Sequence, residues 1–152
     1  RLNLIIDDGC TIVKETKEKF DVIVVDSTDP VGPGEVLFTK EFYTDCKDAL
    51  TPDGILVTQN GVPFTQGDEL RDSVKHFREL FKIGSCYLGS VPTYVGGPMA
   101  FGFATDNIDA HKVSLDVLLD RFNKAKIQTK YYNPELHKAS FALPNYIKDI
   151  ID

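Results

Sequence analysis

Two carboxylates, Asp26 and Asp29, stand three positions apart in the run Asp26-Ser27-Thr28-Asp29-Pro30-Val31-Gly32-Pro33. A pair of anions on a loop stiffened by two prolines can hold a cationic ligand, and amines are the obvious class. A carboxylate so placed can also take up a proton, the work of a general base. Aspartates in turns have a plainer use as caps and turn residues. The two residues alone leave both readings open.

The segment that must position them is Phe20-Asp21-Val22-Ile23-Val24-Val25. Its four consecutive β-branched residues predict a strand buried on both faces, as in a parallel sheet. In open α/β sheets ligands bind beyond the carboxyl ends of the strands, which is where Asp26 falls. Residues 2–6 predict a shorter buried strand ending at Asp7-Asp8-Gly9, with a helical pattern over about 11–19. Thr39 can cap a helix running to about Leu50, with Phe42, Cys46 and Ala49 or Leu50 inward. Asp53-Gly54 turns the chain into a strand at 55–59. A helix over about 68–81 then places Leu70, Val74, Phe77 and Phe81 at three- and four-residue steps.

This alternation predicts a doubly wound α/β layer. Residues 84–91 and 99–104 read as two strands with no helix between them, and such neighbours pair antiparallel. A helix over 109–122 with Val113, Val117 and Leu118 on one face follows, then a tail rich in aromatics.

The chain has 152 residues, 42% of them hydrophobic and 26% charged, which fits one domain. We expect sheet and helices over 1–105 and a helical cover over 106–152. A net charge of −6 and a pI near 5.0 argue against nucleic-acid binding and suit polycations. No stretch approaches the roughly 20 apolar residues of a membrane span. Cys10, Cys46 and Cys86 lack metal-site spacing and predict reduced thiols in a cytoplasmic protein. His76, His111 and His137 are likewise not spaced as metal ligands.

The full string from Asp26 to Pro33 resembles the active-site loop of the spermidine synthase (polyamine aminopropyltransferase) family. The resemblance continues through Asp7-Asp8-Gly9, Gly54-Ile55-Leu56-Val57-Thr58-Gln59-Asn60, Pro92-Thr93-Tyr94, Tyr131-Tyr132-Asn133-Pro134 and Phe141-Ala142-Leu143-Pro144, in the family's order and spacing. It implies a class I methyltransferase-like fold: a Rossmann-like doubly wound sheet with a C-terminal antiparallel hairpin. The complete family fold opens with a strand and a Gly-rich donor loop, then a second strand ending in an acid. No Gly-x-Gly loop precedes Asp8 here, and Gly96-Gly97 lies in the hairpin. The N-terminal strands of the family sheet are therefore expected to be missing. We expect the chain to be a fragment, inactive alone, with apolar surface left open.

The activity implied is transfer of the aminopropyl group of decarboxylated S-adenosylmethionine to putrescine, giving spermidine and methylthioadenosine. The donor is a co-substrate, so no cofactor and no metal is implied. By the same resemblance Asp26 matches the proton acceptor and Asp29 the second amine-binding carboxylate, while Tyr94 and Gln59 seat the amine. Asp8 and Gly9 match the segment that meets the adenine, and Pro33 a contact to the thioadenosine. Family members commonly form dimers or tetramers. The alternatives are a sister aminopropyltransferase, a putrescine N-methyltransferase, or a non-catalytic polyamine-binding paralogue.

Overall fold

The structure, a computed structural model, describes residues 2–152. Four strands form one mixed sheet in the order β1-β2-β4-β3. Strand β1 (Phe20–Val25) runs parallel to β2 (Leu50–Gln59), and the crossover between them carries helix α2 (Lys40–Ala49). Strands β3 (Ile83–Gly89) and β4 (Met99–Thr105) form the expected antiparallel hairpin, and β4 inserts between β3 and β2. The insertion makes β4 antiparallel to both neighbours.

Local chemistry explains the element ends. Helix α2 starts where the Thr39 hydroxyl accepts the Phe42 N–H at 3.2 Å. Helix α1 (Gly9–Glu15) starts at Asp8, whose carboxylate accepts from Cys10 N at 3.1 Å and Thr11 Oγ1 at 2.9 Å. The turn expected at Asp53-Gly54 survives as an irregularity inside β2: its pairing with β1 jumps from Phe20–Leu50 to Val22–Ile55.

The core lies between one face of the sheet and three helices. Leu56 and Ala104 of the sheet meet Phe42, Tyr43 and Cys46 of α2, and Leu70, Val74 and Phe77 of α3 (Gly67–Leu80). Helix α6 (Asn145–Ile151) contributes Ile147 and Ile151 to the same cluster, so the end of the tail belongs to the main core. Burying a side chain such as Phe77 is commonly worth about 3–5 kcal/mol against truncation to alanine. Helix α5 (Pro134–Ser140) lies near the opposite sheet face, where Phe141, just beyond it, packs edge-on against Phe103 and tilted against Tyr87.

Three expectations need correction. Residues 2–6 form no strand, and Leu2 and Ile6 are about nine-tenths exposed. An apolar run becomes a strand only beside a partner ladder, and among the described residues β1, the sheet edge, has no strand on its outer side. Nor is β1 buried on both faces: Ile23 and Val25 pack on the core, while Val24, on the other face, lacks a covering layer and is 67% exposed. The helix expected over 109–122 is α4 (Leu115–Ala125) instead. Asn107 Oδ1 accepts from Asp109 N and holds a turn ahead of it, and Ser114 Oγ takes the Val117 N–H as the cap. Val113 thus precedes the helix and Val117 is exposed, leaving Leu118 to face inward.

Candidate active site

The carboxyl ends of β1 and β2, with the β3–β4 loop, enclose a cleft of about 500 Å³. Asp26, Gln59 and Tyr94 all line it. Each arrives by a different route. Asp26 is the first residue past β1, so the parallel pairing of Val25 with Thr58 fixes its height above the sheet. Gln59 is the last residue of β2 and pairs with Phe101. Tyr94 stands in the hairpin loop, where its N–H donates to Val91 O at 3.0 Å. The loop bends further at Gly96 and Gly97, both at positive φ. Val57, Tyr87, Met99 and Phe101 give the cleft apolar walls.

Gln59 is only 7% exposed, yet its Oε1 is buried without a hydrogen-bond partner. Such an orphan acceptor costs free energy unless something supplies a donor. Among the described residues no ion pair engages Asp26 or Asp29. The cleft therefore presents the unpaired carboxylate of Asp26. Its complement is a group made of donors and positive charge, and an alkylammonium is one.

Asp29 does not line this cleft. Its carbonyl accepts from Val31 N at 2.7 Å, and the loop then winds into a 3₁₀ turn over Gly32–Phe38. A Cβ on Gly34 would fall 2.7 Å from Thr28 Oγ1 and 2.9 Å from Asp29 O, so only glycine lets the loop fold back this closely. The Asp29 charge reaches Glu69 in the first turn of α3. Burial first, and the Asp29 charge second, together push the Glu69 carboxyl up to about 7.

The residues expected on the nucleoside side are more dispersed. Asp8 caps α1, and its bonds to Thr11 and Cys10 hold its carboxyl below the usual range. Gly9 is the first residue of α1, and a Cβ there would touch nothing within 4 Å. Pro33 opens the 3₁₀ turn and is exposed. None of the three lines the cleft of Asp26.

One cluster escaped the sequence reading. Asn60, fully buried just past β2, accepts from Thr58 Oγ1 at 2.6 Å and from Gly102 N at 3.0 Å, and donates to Ser73 Oγ at 2.8 Å. Ser73 also meets the Tyr43 hydroxyl at 3.1 Å. This network ties the strand end that carries Gln59 to α2, α3 and β4 at once. A polar Thr-Gln-Asn ending to an apolar strand was the available signal.

The family model for the spermine/spermidine synthase domain matches residues 1–115. The chain belongs to this family. A polyamine aminopropyltransferase of Ruegeria sp. strain TM1040 is 57% identical over 150 residues, covering 99% of this chain and 53% of that protein. Among solved structures, a spermidine synthase in complex with the transition state analogue AdoDATO is 37% identical, with a TM-score of 0.88. The match covers 98% of this chain and 50% of that one. The spermidine synthase from Thermotoga maritima gives 34% identity and a TM-score of 0.82, covering 98% and 48%. The chain thus spans about half the length of the relatives it matches. The fold is that of these family members, and the relatives named are transferases. Among the described residues no helix is long and apolar enough to cross a membrane, and no group of three His, Cys, Asp or Glu side chains could hold a metal ion.

Proposed function

We propose that the full-length protein is a spermidine synthase that transfers the aminopropyl group of decarboxylated S-adenosylmethionine to putrescine. The observation that carries this reading is the cleft shared by Asp26, Gln59 and Tyr94 at the carboxyl ends of β1 and β2.

An alkylamine titrates near 10, like lysine, and arrives protonated. Asp26 holds the ammonium, takes one proton, and leaves a lone pair aimed at the carbon beside the sulfonium. The C–N bond forms as the C–S bond breaks, and methylthioadenosine departs with the electron pair. Gln59 accepts one of the remaining N–H groups, and Tyr94 closes the slot from the hairpin side. Asp29 is the second carboxylate for the amine. On the donor side we keep Asp8, Gly9 and Pro33. The Asp8 oxygens retain lone pairs beyond the two capping bonds and can accept from an exocyclic amino group. The donor is consumed as a co-substrate, so the reaction calls for no cofactor. The free thiols Cys10, Cys46 and Cys86 suit a cytoplasmic setting. On family resemblance alone, the assembly is a homodimer or homotetramer.

The test is aminopropyl transfer to putrescine by the full-length protein and its Asp26→Asn variant. The variant should lose about 10²–10⁴-fold in kcat, the usual worth of a general base, while its circular dichroism is retained. Turnover at the unmodified rate in the variant refutes Asp26 as base. Methyl transfer from S-adenosylmethionine in place of aminopropyl transfer would assign the protein to the N-methyltransferases.

A further inference from the structure

Tyr131, in the aromatic tail that the mechanism leaves unused, reaches the loop that carries Tyr94. This loop, residues 90–98, joins β3 to β4, whose ladder ends at the pair Gly89–Met99. Within it the Tyr94 N–H donates to Val91 O at 3.0 Å and sets a turn. Among the described residues, the one hydrogen bond from this loop to a distant segment runs from Ser90 N to the Tyr131 hydroxyl, at 3.1 Å. Val91, the next residue, lines the cleft beside Asp26 and Tyr94. Two hydrogen bonds separated by one peptide unit therefore lead from Tyr131 to the backbone of Tyr94.

The segment around Tyr131 is itself held on two sides. Thr129 Oγ1 donates to Tyr132 O at 2.6 Å, and Asn133 Oδ1 accepts the Leu136 N–H at 2.6 Å at the start of α5. The Tyr132 ring packs on Phe122 of α4, with centroids 5.8 Å apart. Phe141 packs on Tyr87, a wall of the cleft, at 5.5 Å. Water could satisfy the exposed Ser90 N–H equally well, but water is tied to nothing and would leave the loop free to shift. A loop with two glycines at positive φ, Gly96 and Gly97, has many conformations open to it. A fixed acceptor at its first residue removes part of that freedom before a ligand arrives. We propose that Tyr131 is a positioning residue for the acceptor site, its hydroxyl fixing the start of the β3–β4 loop so that Tyr94 stands at the cleft when the amine enters. This inference rests on the amine-acceptor reading of the cleft given above.

The test is Tyr131→Phe in the full-length protein, which keeps the ring and removes the hydroxyl. Tyr131 is 58% exposed, so the fold survives the change. The putrescine KM should rise about fivefold, the worth of one ordinary hydrogen bond, while kcat and the KM of decarboxylated S-adenosylmethionine stay within about twofold. The Ser90 amide should exchange with deuterium about fivefold faster, with circular dichroism retained. In a Tyr94→Ala background the same substitution should leave the putrescine KM where Tyr94→Ala alone puts it, because the loop then has no ring to position. An unchanged putrescine KM, an equal rise in both KM values, or the same rise in the Tyr94→Ala background overturns the proposal. Failure of the unmodified protein to transfer to putrescine would instead overturn the reading of the cleft, and this inference with it.

Discussion

Replacing Asn60 with alanine tests whether the buried network, more than the sheet itself, holds the strand end that carries Gln59 in place. Asn60 is fully buried and joins Thr58, Gly102 and Ser73 through the three hydrogen bonds described. Each is worth about 1 kcal/mol net. Ser73 keeps Tyr43 as a partner, the Thr58 hydroxyl can rotate, and the Gly102 N–H stands opposite Thr58 in the β2–β4 ladder. The expected loss is therefore about 3 kcal/mol, or roughly 10 °C in melting temperature for a domain of this size. Thermal and urea unfolding of Asn60→Ala beside Ser73→Ala and the double variant is the assay. The singles should not add, because they cut the same bond. Ser73→Ala, which removes one bond to Asn60 and one to Tyr43, should cost about 1–2 kcal/mol. Because Gln59 precedes Asn60, the amine KM should also rise. A loss below about 1 kcal/mol, or strictly additive effects, would refute the network as the support of the site.

Asp29→Asn should raise the putrescine KM about tenfold with a smaller effect on kcat, the loss of one charge-assisted contact; steady-state kinetics with an unchanged KM would contradict its role. The Glu69 carboxyl is raised from 4.5 to about 7. Its contribution to stability is thus complete below 4.5 and lost as pH rises through about 7. The groups set against it are Asp29 and, on the core side, the Tyr43 hydroxyl, whose own pKa is pushed up chiefly by burial. Discounted for the solvent that reaches it, the effect is about 1–2 kcal/mol, and it should vanish from the pH profile of urea unfolding in Glu69→Gln. Gly102→Ala should destabilise by about 1–3 kcal/mol, because its Cβ would sit 2.4 Å from Thr58 Oγ1 and 2.6 Å from both Asn60 Oδ1 and Phe77 Cε2. An unaltered melting temperature would show that the network yields without cost.

The elements legible in the sequence were those whose stabilising partners are local or periodic. Thr39 announced α2, and the steps from Leu70 to Phe77 announced the inward face of α3, because capping and amphipathicity act within one helix. Asp26 was legible because a strand end in a parallel sheet has a defined chemical use, and the cleft does join it to Gln59 and Tyr94. What failed were statements about neighbours. A run such as residues 2–6 carries strand composition, but whether it becomes a strand depends on a partner supplied from elsewhere. The double burial expected for Val22–Val25 likewise needed a covering layer that Val24 does not have. Glu69 was invisible for a related reason: an acid in the first turn of a helix has an ordinary explanation in the helix dipole. Only the fold brings it within reach of the Asp29 charge.

The insertion of β4 between β2 and β3 also has a kinetic consequence. Asp26, Gln59 and Tyr94 depend on one long parallel crossover and on a hairpin docked against β2, so no local folding event can assemble them. Contacts this distant in sequence are the slow ones to form. A refolding chain should recover helical signal and much of its hydrophobic burial before the cleft of Asp26 is complete.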